Sequence, residues 1–339
     1  MTSAVMPLPA RRSLLAAVEE RFLVRSYASP RAGAWVAVHD ALAFPFQMRG
    51  DMRRSTVRTD EGTLRVVEIG RGKHTGPFCA RLLGSRAHGA GDGARPLWSP
   101  AALADVDADL VLAEIHRWMA PRFRRAGWLV VPDSIRWHGD LTRCPPSRAT
   151  PSLKADLKKV SRYGYTLESA GTSQDWAEFY GSMVVPQARV RFGEAAWIPS
   201  ERLRRELAAR GTLHFILRDG APVAGICSVR TGSTLWLPVM GLRQSDANLL
   251  KEGVYSAAFS LLFDWAARQG CTQVDAGRTS AFTLDGVHRF KRKWGLEPVA
   301  DPLSHLIAVR AGSTALRAFA HQPVLVDRGS GLAAFPEAE

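Results

Sequence analysis

The stretch Leu213–Gly241, LHFILRDGAPVAGICSVRTGSTLWLPVMG, decides the fold. Three apolar runs, Leu213–Leu217, Val223–Val229 and Thr234–Met240, are separated by Asp219-Gly220 and by Thr231-Gly232-Ser233. An Asp-Gly between apolar runs favours a tight hairpin, because both central residues of that turn need a positive φ. The runs therefore predict a three-stranded antiparallel meander. Downstream, Val254, Ala257, Ala258, Leu261, Leu262 and Trp265 recur at helical spacing, and the helix stops at Gly270. Thr272-Gln-Val-Asp275 reads as a strand. Strand, long helix and strand make a crossover, so Thr234–Met240 and Thr272–Asp275 are expected to be parallel neighbours.

Pro238 lies inside the third strand. Proline has no N–H for the ladder, so it marks an edge, a bulge or a place where strands part. Strands parting here would leave backbone N–H groups able to polarise a thioester or ester carbonyl. Ligands of open α/β sheets collect beyond the carboxyl ends of such strands.

Working outward, Ser152 is expected to cap a helix, LKADLKKVSRYG, that ends at Gly164. Tyr165–Glu168 reads as a strand, and Ser173 or Asp175 opens a helix carrying Trp176, Phe179, Tyr180 and Met183. Ser200 caps ERLRRELAARG, closed by Gly211. Beyond the crossover, Val287–Trp294 reads as a helix and Leu303–Val309 as a strand. The first half is less patterned. Leu14, Leu15, Val18, Phe22 and Leu23 suggest an amphipathic helix; Trp35–Val38, Leu64–Ile69 and Phe78–Leu83 read as strands. Residues 84–97 read as a loop, Leu110, Val111, Ile115, Trp118 and Met119 as a helix, and Trp128–Pro132 as a strand. The three prolines of Cys144–Ser152 place a boundary there. The expected halves are 1–148 and 149–322, with a weakly ordered tail over 323–339. The class is α/β (α+β): a mixed, largely antiparallel sheet flanked by helices.

With 46% hydrophobic and 23% charged residues in 339, the chain can build a sizeable core. No apolar run approaches the roughly 18 residues of a membrane span. The N-terminus, interrupted by Glu19 and Glu20, does not read as a signal peptide, so a cytoplasmic location is expected. Cys79, Cys144, Cys227 and Cys271 have no paired spacing, which argues against a disulfide framework and against a zinc site. A net charge of +13 attracts polyanions such as nucleic acid, CoA phosphates, acidic glycans or an anionic membrane face. A solvated arginine-rich surface accounts for the same charge.

Asp275 ends a strand at the expected cleft, where it either orients or deprotonates an attacking amine or pairs with Arg278. Arg278 can clamp a carboxylate or phosphate. Thr279 and Ser280 offer hydrogen bonds to a substrate. Lys291 and Trp294, three residues apart, present a cation and a flat surface to an anionic donor; Trp294 reads equally as core. His288 is a proton shuttle or a structural histidine. Lys154, Lys158 and Arg162 recur every four residues, as a contact for RNA backbone or an anionic carrier, or as a solvated face. Trp176 and Tyr180 are core or the wall of an acceptor pocket.

Two motifs carry a family resemblance: Val274-Asp-Ala-Gly-Arg-Thr-Ser280, then Val287-His-Arg-Phe-Lys-Arg-Lys-Trp-Gly295-Leu-Glu-Pro298. Together with the element order and the disrupted third meander strand, they are similar to the Fem-like (BioF-type acetyltransferase-domain) branch of the GNAT N-acyltransferase superfamily. The resemblance covers roughly residues 150–310. It implies a GNAT-type fold in two tandem halves, the first degenerate. It also implies direct transfer of an acyl group from acyl-CoA (acetyl-CoA), or of an aminoacyl group from aminoacyl-tRNA, to an amine, with no metal. The acceptor would be a small molecule or carrier-bound, in polysaccharide, cell-envelope or metabolite biosynthesis. Donor contacts would fall on Val239, Met240, Gly241, Arg243, Gln244 and Lys251. One departure is visible. The stretch Gly241–Gly253 lacks the glycine spacing of a pyrophosphate-cradling loop, which keeps both donors open. A non-catalytic GNAT-like ligand- or RNA-binding protein is the alternative.

Overall fold

The computed structural model describes residues 22–337 apart from 28, 30, 61, 72–73, 86–88, 194–195 and 197. Leu14, Leu15 and Val18 lie outside the described residues, whereas Phe22 and Leu23 are buried in a helical stretch over 22–27. The strands in chain order begin with β1 (Arg49–Thr59), β2 (Gly62–Gly70), β3 (Ala90–Pro96), β4 (Leu110–Ile115) and β5 (Leu129–Pro132). Next come β6 (Ile135–Asp140), β7 (Thr166–Ala170), β8 (Thr212–Arg218), β9 (Ala221–Thr231) and β10 (Thr234–Leu242). The last are β11 (Gln273–Thr279), β12 (Glu297–Ala300), β13 (Leu306–Ala311), β14 (Val324–Asp327) and β15 (Leu332–Phe335).

Two large mixed sheets result, one ordered β12-β6-β11-β10-β9-β8-β7 and the other β3-β1-β2-β4-β13-β5. The chain forms two compact units, neither of them continuous in sequence. Trp137–Gly277 and Lys291–Glu297 join the N-terminal segment through Trp35 in one; Val36–Arg136, Arg278–Phe290 and Pro298–Glu339 form the other. Among the described residues no helix is long and apolar enough to cross a membrane.

The seven-stranded sheet follows the sequence pattern closely. Asp219 and Gly220 take φ of 52° and 76°, the left-handed pair that a two-residue hairpin turn demands. β8, β9 and β10 form the meander, and β10 runs parallel to β11 after the helix Val254–Arg268. That helix buries Ala257, Ala258 and Leu262, and a core of Ile216, Ala224, Leu242 and Val254 gathers between helix and sheet. Two of the caps sit one or two residues before the expected position. Thr150, not Ser152, accepts from Leu153 N–H and opens Pro151–Arg162, with Pro151 at the first position. Thr172 caps Ser173–Glu178 through a capping box with Asp175.

A π-helix, Phe179–Val184, lies against β9 and β10. Two glycines make room for it. A Cβ on Gly225 would come within 2.5 Å of the Phe179 ring, and one on Gly241 within 2.7 Å of the Met183 carbonyl carbon and the Val184 nitrogen. The second clash is with backbone and cannot be relieved by a rotamer. Gly241→Ala is therefore expected to cost about 1–3 kcal/mol of stability, read as a lower urea midpoint. An unchanged midpoint would contradict packing this close.

His214 of β8 is fully buried, with Nε2 2.9 Å from Ser228 Oγ and Nδ1 3.2 Å from Ser169 Oγ. Burial lowers its pKa to about 4. Above the unfolded-state value of about 6.5 the imidazole is neutral in both states. Between about 6.5 and 4 only the unfolded chain takes up the proton, so stability falls as pH falls through that window and levels off below it. The loss reaches up to roughly 3 kcal/mol at about 1.4 kcal/mol per unit. His214→Gln is expected to flatten that part of the pH–stability curve in urea titrations; an equally steep curve in the variant would remove His214 as the cause.

The other sheet departs from the sequence reading. Trp35–Val38 and Phe78–Leu83 were expected as strands, yet they lie in the helices Ala32–Ala43 and Thr75–Leu83. Phe78, Cys79 and Leu82 are one buried helical face, closed by Gly84 at φ 71°. Leu110–Ile115, expected in a helix, is β4, with every residue buried between β2 and β13. A central strand is apolar on both faces, so its sequence carries no alternation to separate it from a helix. Residues 84–97, expected as a loop, include the edge strand β3, and the highly charged β1 pairs with both β2 and β3. The strand expected at Leu303–Val309 is β13, inserted between β4 and β5. The tail expected to be weakly ordered forms the hairpin β14–β15, with Val324 buried.

Candidate active site

The parallel pairing of β10 with β11 covers only Thr234↔Gln273, Leu235↔Val274 and Trp236↔Asp275. The β10–β9 register shifts between Trp236 and Val239, around Pro238. A residue without an N–H thus coincides with the end of the parallel ladder.

Asp275 stands at that point, 1% exposed. Its Oδ1 accepts from Gly277 N–H at 3.0 Å, and its Oδ2 is 3.7 Å from Nε2 of His138 on the adjoining strand β6. The His138 side chain is 47% exposed. The Asp275–His138 contact is at ion-pair distance and sets a buried carboxylate behind a solvent-facing imidazole. Gly277 is needed here twice over: its φ is 72°, and a Cβ would meet the Leu237 carbonyl oxygen at 2.7 Å. Lys291, 5% exposed, donates from Nζ to the Gly277 carbonyl at 3.2 Å and holds this turn in place.

The remaining residues singled out from sequence divide into several groups. Trp294 is fully buried between Phe259 and Phe263, with ring centroids 5.8 and 5.9 Å away, and is core. Arg278 is paired with the buried carboxylate of Asp301. Ser280 donates to Asp285 Oδ2 at 3.3 Å and accepts from Arg81 at 3.1 Å. Asp285 in turn caps the helix Gly286–Lys293 through Val287 N–H at 2.7 Å. These bonds make Ser280 part of a cap network. Thr279 is half-buried at the end of β11, and His288 is buried.

Val239 is buried, Met240 half-buried, and Gly241 packs on the π-helix. Arg243 is held by Glu178 and the Pro222 carbonyl. Gln244 and Ser245 take left-handed φ of 47° and 56° in a tight turn before the short helix Ala247–Lys251, and Gln244 is exposed. No cradle of glycines forms in this segment. The Lys251 side chain is exposed, and its carbonyl accepts from Lys159 Nζ at 2.9 Å. Lys154, Lys158 and Arg162 all lie exposed on Pro151–Arg162. Trp176 and Tyr180 stack with centroids 6.0 Å apart, the second ring lying under Arg204. Tyr180 is 4% exposed, and burial first, then Cys227, raises the pKa of its phenol.

His138 escaped the sequence reading. Ile135, Arg136 and Trp137 before it are all buried and His138 is the exposed residue of β6, so no alternation along the strand marked it.

Residues 148–292 match the family described as an acetyltransferase (GNAT) domain. No curated protein matches the chain in sequence. Among solved structures, L-PGS from Bacillus licheniformis is similar at 15% identity, over 91% of this chain and 94% of that one, with a TM-score of 0.43. FemX is similar at 10% identity over 86% and 95%, TM-score 0.39. A tandem GNAT protein from the clavulanic acid biosynthesis pathway is similar at 12% over 89% and 95%, TM-score 0.36.

Proposed function

We propose that this chain, whose residues 148–292 carry a GNAT acetyltransferase domain, is an N-acyltransferase whose proton acceptor is His138, positioned by Asp275. The observation that carries the reading is the end of the β10–β11 ladder at Trp236↔Asp275, with a buried carboxylate and an exposed imidazole beside it.

The acceptor amine attacks the donor carbonyl as a neutral nucleophile. The new C–N bond forms and the C–S or C–O bond of the donor breaks. The amine proton passes to His138, and the imidazolium returns it, directly or through water, to the leaving thiolate or alkoxide. Backbone N–H groups of β10 beyond Trp236 would stabilise the oxyanion, acting where charge develops. Of the two roles read for Asp275 from sequence, its enclosure favours the orienting one, and the burial of Lys291 and Trp294 favours framework roles.

Two donor classes remain, acyl-CoA and aminoacyl-tRNA. The absence of a glycine cradle after β10 and the exposed stripe Lys154, Lys158 and Arg162 support a donor gripped along a polyanionic backbone. Calorimetry with acyl-CoAs and with charged tRNA at two salt concentrations tests this. Binding of charged tRNA that weakens steeply with salt, and weakens again in Lys154→Ala and Lys158→Ala, is the expected result. Tight, salt-tolerant binding of an acyl-CoA instead would assign the other donor. Binding of a ligand without any transfer would make the chain a GNAT-like binding protein.

A further inference from the structure

A second cluster of reactive side chains lies wholly within the unit Val36–Arg136, Arg278–Phe290 and Pro298–Glu339. It is built by topology. β2 and β4 run parallel, and β13 lies antiparallel between β4 and β5. Leu306 pairs with Ile115 on one side and Pro132 on the other. The residues flanking these positions are Glu114, Asp133 and His305, and the chain leaving β2 brings His74, at the head of the helix Thr75–Leu83, to the same end. This is the carboxyl end of β2, β4 and β5, where open sheets present ligand sites.

The side chains are arranged with little freedom. The rings of His74 and His305 stack at 3.8 Å, 16° from parallel. Asp133 Oδ2 is 2.6 Å from His74 Nδ1, while its Oδ1 takes Ser304 Oγ at 2.7 Å and the His305 N–H at 3.2 Å. In its neutral form, with the proton facing Asp133 on Nδ1, the His74 ring leaves Nε2 toward Glu114 Oε1. Glu114 is 3% exposed; Arg71 N–H holds its Oε2 at 3.1 Å, and its Oε1 faces both imidazoles, 3.1 Å from His305 Nδ1 and 4.0 Å from His74 Nε2. One donor atom from each of His74, Glu114 and His305 lies within 4.8 Å of the others. Tetrahedral ligands at about 2.1 Å from a metal stand roughly 3.4 Å apart, so closing on an ion asks the three donor atoms to draw together and one of the stacked rings to turn until both nitrogen lone pairs converge. A small cleft lined by His39, Asp40, His116, Arg117, Ser304 and His305 adjoins the cluster on its His305 side.

We infer that His74, Glu114 and His305 bind one divalent transition-metal ion of the zinc class, with Asp133 as the outer carboxylate that fixes His74. Two imidazoles and a carboxylate suit zinc, and a carboxylate behind a ligating histidine is the usual outer partner. Three protein ligands leave the fourth position to water. From sequence, the cysteine spacing spoke against a zinc site and the family resemblance implied transfer without a metal; residues 74, 114 and 305 come together only once β13 is inserted beside β4.

The test uses the full chain without a histidine tag, stripped with chelator and titrated with zinc chloride, and separately with cobalt(II) as a visible-absorbing stand-in. One equivalent of zinc per chain is expected, with a raised Tm and a cobalt absorption band that zinc displaces. His74→Ala and His305→Ala should each weaken binding about 100-fold or more, and Asp133→Asn about 10- to 100-fold. Failure of the unaltered chain to retain zinc after dialysis would overturn the assignment. So would undiminished affinity in His74→Ala and His305→Ala variants whose circular dichroism matches the parent.

Discussion

His138→Ala is expected to lower the rate of acyl transfer by about 100- to 10,000-fold, the usual contribution of a positioned general base. The argument rests on position. The imidazole is the half-exposed partner of a carboxylate that is itself 2% exposed at the side chain, where β10 and β11 separate. An amine approaching a donor carbonyl held along β10 meets the histidine before the aspartate. Donor affinity should remain nearly unchanged, because His138 is assigned no donor contact. Added free imidazole should restore part of the rate. Asp275→Asn keeps the shape of the side chain and removes its charge, so it should slow transfer while leaving the fold intact. A His138→Ala enzyme with the parent rate and pH profile would show that proton transfer lies elsewhere.

Trp294→Ala is expected to cost about 3–5 kcal/mol of stability, as for other large aromatic residues emptied from a core. Its indole is 0% exposed and meets Phe259 and Phe263 edge-on, at interplanar angles of 61° and 88°. Those contacts add to the area term. Read from sequence, Trp294 had a competing role as a stacking surface for the donor. The two roles separate cleanly. Trp294→Phe should recover much of the stability and leave donor binding untouched, whereas a stacking role would show as lost affinity with an unchanged urea midpoint.

The legible part of the sequence was the part in which local signals and tertiary structure agree. Asp219-Gly220 fixed a turn, the spacing of Val254 to Trp265 fixed a helix, and Pro238 marked the break in the ladder, all within one sheet. Leu110–Ile115 was misread because a strand buried on both faces has no period of two. Phe78–Leu83 was misread because five apolar residues in the nine of Thr75–Leu83 do not separate a short helix from a strand. The insertion of β13 between β4 and β5, and of β6 beside β11, joins residues more than 100 apart, which no local pattern records. That long-range pairing places His138 beside Asp275 and His74 beside His305. The motif residues Ser280, Lys291 and Trp294 stood out because their types are chemically versatile, yet packing assigns them to a cap network, a buried turn and the core.

The most direct test of the central claim is to follow N-acylated product by mass spectrometry. The chain would be supplied with isotope-labelled acyl-CoA or aminoacyl-tRNA and a panel of primary amines, with the His138→Ala variant alongside. Labelled amide from one donor class, formed by the parent chain and reduced at least about 100-fold in the variant, is the predicted result. No product from either donor, or product at the parent rate without His138, would contradict it.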